Sequence, residues 1–382
     1  MRLAWFGPSP AAPPLDDSAL LIGALRARHE IDLFTPARAH EFVWTDARAP
    51  YDLCVFELDN TPAHAFVWAY LLQYGGVLLL RALTLHDSRA QALLDTARLD
   101  EYVSEFAFNE HHAPHFSWTR RPFAGTWPML RVPLAAARLA VVPNRSAAGT
   151  LERQCPDARV RYAPMPVDAR RRTGRTRQEE GGRRAVTFGA LASDRIDVAQ
   201  RAIASACDAG APAVLVADSS AARLLEEVDV MLSLQWPALG EAHTLALAAM
   251  ASGVPLVTLE TACSADWPAL DPQTWQPRGL GAEAPAAISL DPRDEEHSLG
   301  LAVGRLAADP VLRRCLGEQG CTWWRAHATT TRAADAWETI LAEAAALGPP
   351  PRPAGWPAHL TADGTDRARA ILAEYDVSVD LF

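Results

Sequence analysis

The stretch Gly240–Val257, GEAHTLALAAMASGVPLV, preceded by Ser233–Ala238, SLQWPA, decides the fold of this chain. Val228–Leu234 reads as a buried strand. A short loop carrying one acid, Glu241, follows it. Ala, Leu and Met then favour helix through Ser252. Gly253 suits the left-handed position just past a helix, and Pro255 prevents further helix. Val254–Leu259 reads as the next buried strand. Strand, helix and strand in this order make a parallel α/β unit. The first helical turn leaves backbone N–H groups unpaired at the positive end of the helix dipole. The N–H groups of His243, Thr244 and Leu245 there form a seat for a phosphate, or else a solvated helix start.

The unit repeats in both directions along the chain. Arg2–Phe6, Ile31–Phe34, Leu53–Leu58, Val77–Leu80, Leu139–Val142 and Val160–Tyr162 are strand-like runs separated by helical patterns such as Ser18–Arg28 and Ala63–Gln73. A second series begins at Ala185–Phe188. It continues through Ala213–Ala217, Val228–Leu234, Leu256–Leu259 and Ala287–Leu290. Between the two lies PMPVDARRRTGRTRQEEGGRR (Pro164–Arg184), which has no apolar period and reads as a linker. The expected organisation is an N-terminal Rossmann-like domain over 1–165, a linker over 166–184 and a second Rossmann-like domain over 185–348. A Pro-rich crossing and a last helix then occupy 349–382. Ligands in such sheets bind at the carboxyl ends of the strands.

Composition bounds the function. With 382 residues and 49% hydrophobic content, two cores of ordinary size are expected. The net charge of -10 argues against a nucleic-acid partner. Lysine is absent and all 36 basic residues are arginine, so any side-chain phosphate contact must come from Arg. The six cysteines (Cys54, Cys155, Cys207, Cys263, Cys315, Cys321) show no zinc spacing and read as reduced thiols of a cytoplasmic protein. His111, His112 and His115 cluster among aromatics (Phe106, Phe108, Phe116, Trp118, Trp127). They lack the Cys or carboxylate spacing of a metal site, so no metal is expected there. The aromatics could instead shape an acceptor platform. No apolar run reaches the ~18 residues of a membrane span, and Met1–Phe6 enters a strand directly without a signal peptide. Seven linker arginines (Arg170, Arg171, Arg172, Arg175, Arg177, Arg183, Arg184) leave two readings, a solvated segment or peripheral contact with anionic lipid.

The Gly240–Pro255 segment resembles the donor-site motif of retaining glycosyltransferases of the GT-B fold, in the family 4 group. That group carries Gly-Glu, then a second Glu, then a small-residue helix ending in Gly-x-Pro. Here the first Glu is Glu241, and the second falls on Ala248. The resemblance extends over roughly residues 1–345. The opening MRLAWFGPSP matches. FELDNTPAHAFVW (Phe56–Trp68) matches through Asn60, Pro62 and His64. FGALASDRID (Phe188–Asp197) is similar to the first strand and loop of the donor domain, through Gly189 and Arg195.

The resemblance implies two doubly wound domains around a cleft and transfer of a sugar from a nucleotide diphosphate sugar. The acceptor would be a glycan, a lipid-linked sugar or a natural product, and configuration would be retained. It implies no cofactor and no metal. Glu241 would orient the sugar and support developing positive charge. Arg195, Gly189 and the helix start at His243, Thr244 and Leu245 would hold the diphosphate. Asn60, His64 and Arg81 would line the acceptor side, with His86 standing for the catalytic His of relatives. Each has a plainer alternative. Glu241 could merely complement a helix dipole, Arg195 could lie at the surface, and His64 could pack the following helix. Trp236 and Pro237 would fix the loop before Glu241.

Three departures stand out. Pro8–Asp17 contains no glycine where relatives approach the donor phosphate. Leu80-Arg81-Ala82 stands where relatives carry His-Asp, with His86-Asp87 following. Ala248 removes a ribose contact worth about 1.5–3 kcal/mol. These departures also suit a non-catalytic relative serving as a partner subunit or scaffold.

Overall fold

The computed structural model describes residues 1–8, 17–110, 126–168, 185–236, 243–261, 263–278, 283–361, 365–375 and 377. Two parallel sheets organise the chain. The first holds β1 (Arg2–Phe6), β2 (Glu30–Phe34), β3 (Leu53–Leu58), β4 (Val77–Leu80), β5 (Leu139–Val142) and β6 (Val160–Tyr162), in the order β2-β1-β3-β4-β5-β6. The second holds β7 (Val186–Leu191), β8 (Ala213–Asp218), β9 (Val230–Ser233), β10 (Leu256–Leu259), β11 (Ala269–Leu270), β12 (Pro277–Arg278) and β13 (Ala287–Leu290). Its order is β12-β11-β13-β10-β9-β7-β8. Every pairing is parallel except that of β11 with β12.

The strands are short and apolar because both faces of each sheet are covered. Successive side chains point to opposite faces. Phe6, Phe56, Leu58, Leu78 and Leu80 therefore enter one core, while Trp5, Val55, Val77 and Leu79 enter another on the opposite face. Register sets these layers, with Phe6 beside Phe56 and Val77 beside Leu139. The second sheet divides likewise, with Phe188, Val230, Leu232 and Val257 on one face and Met231, Leu256 and Ala287 on the other.

In each sheet the strand order reverses beside an edge strand. β1 is followed by β2 on one side and β3 on the other, and β7 by β8 and β9. At such reversal points the loops at the carboxyl ends diverge and leave a crevice. β1 and β3 end at Phe6 and Leu58, and β7 and β9 end at Leu191 and Ser233.

The return of the chain to the first domain comes earlier than the expected boundary at 348. Helix Thr330–Ala346 lays Ala333, Ala334, Trp337, Ile340, Leu341 and Ala344 against Leu3, Trp5, Leu21 and Leu25 of the first domain. Trp5 and Trp337 lie 5.3 Å apart between ring centroids. The i, i+4, i+7 spacing gives this helix one apolar stripe, and the face of the first sheet carrying Trp5 is what it covers. Polar contacts at the rim follow, with Arg28 to Asp335 at 3.2 Å and His29 to Glu338 at 2.9 Å. Among the described residues no helix is long and apolar enough to cross a membrane.

Candidate functional site

The helix expected within Gly240–Val257 spans Thr244–Ala251. All residues from Leu245 to Ala251 are buried, so the helix is apolar all round and sits inside the second domain. It ends as a Schellman motif. Gly253 has φ +68°, the Val254 N–H donates to the Ala249 carbonyl at 2.9 Å, and the Gly253 N–H donates to the Met250 carbonyl at 3.0 Å. Its start faces the first domain, because the Thr244 hydroxyl donates to Asp17 Oδ2 at 3.4 Å.

Asp17 opens the helix Asp17–Leu25. Together with Arg81 and Glu57 it builds a buried ionic network at the carboxyl edge of β1, β3 and β4. Arg81 Nη1 and Nη2 donate to the two Asp17 oxygens at 2.8 and 3.0 Å. Nη1 also reaches Glu57 Oε1 at 3.2 Å and Ser18 Oγ at 3.1 Å. Ser18 donates to the same Glu57 oxygen at 2.8 Å, and Trp5 Nε1 donates to Glu57 Oε2 at 3.4 Å. Asp17 is 2% exposed and Glu57 3%. A carboxylate so deep is sustained only by hydrogen bonds and counter-charge. Burial opposes the charge on Arg81, but Asp17 and Glu57 outweigh it, so its pKa is raised and it stays a cation. Burial raises the Glu57 pKa, with Arg81 and Ser18 opposing in part.

His243 precedes the helix and is 5% exposed, with neither ring nitrogen hydrogen-bonded among the described residues. Burial lowers its pKa to about 4, so the ring is neutral at physiological pH. It packs edge-on against Trp267, at 5.9 Å between centroids. Asn144 and Tyr162 of the first domain and Asp266, Trp267 and Trp323 of the second join it around a cavity of about 30 Å³. That space admits about one water molecule.

The remaining sequence candidates separate. His64 is buried close to this network. Its Nδ1 shares a 2.9 Å hydrogen bond with Thr61 Oγ1. Burial lowers its pKa to about 4; Asp59 works the other way and Arg81 adds to the fall. Asn60 ties the end of β3 to the helix His86–Leu94, accepting from the Ser88 N–H at 3.0 Å and donating to Asp87 at 3.3 Å. His86 instead packs within the first domain, with Nε2 2.8 Å from the Tyr102 hydroxyl and Phe106 beside it. Burial lowers its pKa as well.

Arg195 forms an ion pair with Glu295 at 2.8 Å. The adjacent Asp194 accepts from the Leu234 N–H at 3.1 Å, across the β7/β9 reversal. Gly189 lies inside β7, where a Cβ would stand 2.4 Å from Val228 Cγ1. Leu245 and Ala248 are buried in the apolar layer of the second domain, Ala248 at 2% exposure. Trp236 is exposed. Glu241, Pro237, the His111–His115 cluster with Phe116 and Trp118, and the linker arginines all lie outside the described residues. Among the described residues no group of three His, Cys, Asp or Glu side chains could hold a metal ion.

Asp17, Ser18 and Glu57 were not candidates on sequence. The available signal was Glu57 itself, a lone acid within the apolar strand LCVFEL.

No family model and no curated protein matches the chain. Among solved structures it is similar to HepE from Anabaena in complex with UDP. The identity is 12% and the TM-score 0.56, over 90% of this chain and 100% of that one. The HepE complex with UDP-glucose gives 12% identity and a TM-score of 0.55 over the same shares. The complex with UDP and glucose gives 11% and 0.51, also over 90% and 100%. Two α/β domains on mainly parallel sheets, each with an order reversal beside an edge strand and meeting at the start of helix Thr244–Ala251, give this chain the GT-B fold.

Proposed function

We propose that this chain is a glycosyltransferase that moves a sugar from a nucleotide diphosphate sugar to a glycan, lipid-linked or natural-product acceptor, with retention of configuration. The observation that carries the proposal is the start of helix Thr244–Ala251, turned toward the carboxyl edge of the other sheet, where the partly buried Arg81 stands. The positive end of a helix dipole and a fixed cation suit a diphosphate leaving group. HepE, which shares the fold, is described in complex with UDP and with UDP-glucose.

In this reading the anomeric C–O bond to the diphosphate breaks. The acceptor oxygen bonds to the same carbon from the same face, and the acceptor proton passes to the departing diphosphate. The N–H groups of His243, Thr244 and Leu245 hold the distal phosphate. Glu241 orients the sugar and favours the developing oxocarbenium charge. Arg195 contributes only on leaving Glu295. His64 and Asn60 lie on the acceptor side. Opening of the two domains for substrate and closure around it would exclude water from the transfer.

A second reading is favoured by one observation. Ala248, where the resemblance places a ribose-binding Glu, is packed among apolar side chains. A non-catalytic partner subunit or scaffold would tolerate that change. Calorimetric titration with UDP, GDP, TDP and their common sugars separates the two. Micromolar binding of one nucleotide, lost with its diphosphate, supports the transferase. A folded protein that binds none supports the scaffold. Glu241→Ala is expected to abolish transfer while leaving the protein folded, as a melting curve would check. Full activity in the folded variant would remove Glu241 from the mechanism.

A further inference from the structure

We infer that Arg81 is the side-chain cation that receives the donor diphosphate, and that Asp17 competes with the diphosphate for both Arg81 and the start of helix Thr244–Ala251. The inference rests on the donor reading above and deepens it by assigning the counter-ion of the leaving group.

A single oxygen makes the connection. Asp17 Oδ2 accepts from Arg81 Nη2 at 3.0 Å and from Thr244 Oγ1 at 3.4 Å. Cation and helix start therefore lie no further apart than those two distances combined, a gap that one phosphate group spans. A carboxylate of the first domain thus reaches the first residue of the helix, whose dipole favours an anion there. It binds the guanidinium through both oxygens, as a phosphate does.

Further observations support the exchange. Arg81 is held from its other side by Glu57, itself fixed by Ser18 and Trp5, so the guanidinium keeps its place when Asp17 turns away. Two buried carboxylates face this one cation, so replacing one of them by a phosphate keeps the site anionic in character and retains the ion pairing. Arg195, the cation expected from sequence, is engaged by Glu295 instead. Release of Asp17 also removes an interdomain hydrogen bond, which couples anion binding to movement of the domains.

Titration with inorganic pyrophosphate, and with UDP, GDP and TDP, tests this on the full chain. Asp17→Asn removes the competing charge and is expected to bind pyrophosphate and the preferred nucleoside diphosphate about tenfold tighter than wild type. Arg81→Gln is expected to bind about tenfold more weakly, with Arg81→Lys recovering part of the loss. Melting curves check folding. If Asp17→Asn does not fold, the difference between Arg81→Lys and Arg81→Gln carries the test. Wild-type binding unmoved by any of these variants overturns the role of Arg81 and leaves the donor reading intact. Absence of binding by both wild type and folded Asp17→Asn overturns the donor reading and this inference together.

Discussion

His243 meets Trp267 edge-on and is closed off from water, so its protonation is penalised by lost hydration rather than by a neighbouring cation. Above about pH 6.5 both the folded and unfolded chains hold a neutral imidazole there. Between about 6.5 and about 4 only the unfolded chain takes up the proton, so stability falls as pH falls through that window. At about 1.4 kcal/mol per pH unit, the bound on this loss is on the order of 3 kcal/mol. His64 adds a loss of the same sign over the same window. Asp266, on the same cavity, acts in the opposite sense because burial raises its pKa. Comparing urea unfolding of wild type and His243→Gln between pH 7 and pH 4.5 isolates the one residue. The variant should lose less stability on acidification, and equal slopes would show that His243 is protonated without penalty. This residue was legible in the sequence as a helix-start group. Its burial was not, because burial depends on Trp267 and on Asn144 and Tyr162 of the other domain. Asp17, Glu57 and Arg81 were harder still, being brought together only by strand order. An acid inside LCVFEL and an arginine directly after VLLL were the only local signs that a buried charge needed a partner.

At the scale of elements, the long apolar runs were readable because a strand buried on both faces has little freedom of composition. The helix Thr244–Ala251 was readable from both ends, since its glycine stop adopts the conformation that glycine alone favours. β11 and β12, two residues each, were not readable, because so short a run has no period to detect. Gly189 shows how a strand glycine can be explained by its neighbours. β7 runs between β8 and β9, and Val228 fills the space in which a side chain at 189 would stand. Gly189→Ala would bring a methyl group to 2.4 Å from Val228 Cγ1 and 3.3 Å from Leu224 Cδ2. The expected cost is about 1–3 kcal/mol in urea unfolding. Val228→Ala in the same chain should recover part of it, because the two positions share one volume. A Gly189→Ala protein as stable as wild type, or a double variant whose losses simply add, would show that the crowding is relieved by backbone movement.

For the whole molecule, the linear division at residue 348 and the spatial one differ because periodicity reveals an apolar stripe without saying which core it meets. Helix Thr330–Ala346 follows the second domain in sequence, yet its stripe completes the first. The first sheet's Trp5 face is shared between helix Asp17–Leu25 and this one, so the N-terminal domain depends in part on residues far along the chain. Trp337 is fully buried against Trp5, whereas Glu343 on the same helix makes a half-exposed pair with Arg161. Apolar burial and a rim ion pair contribute very differently. Trp337→Ala should cost about 3–5 kcal/mol, and Glu343→Ala should stay within about 1 kcal/mol. The loss from Trp337→Ala should fall on the first domain. Hydrogen exchange read by peptide would show faster exchange across β1, β3 and β4, with β7, β9 and β10 retaining their protection. Faster exchange confined to β7, β9 and β10 would instead place the helix with the second domain in solution. Both domains must keep their shape for the cleft to reopen on the same residues, so a first domain loosened in this way should also bind nucleotide more weakly, although Trp337 lies on the covered face of the sheet and Asp17 and Arg81 at its carboxyl edge.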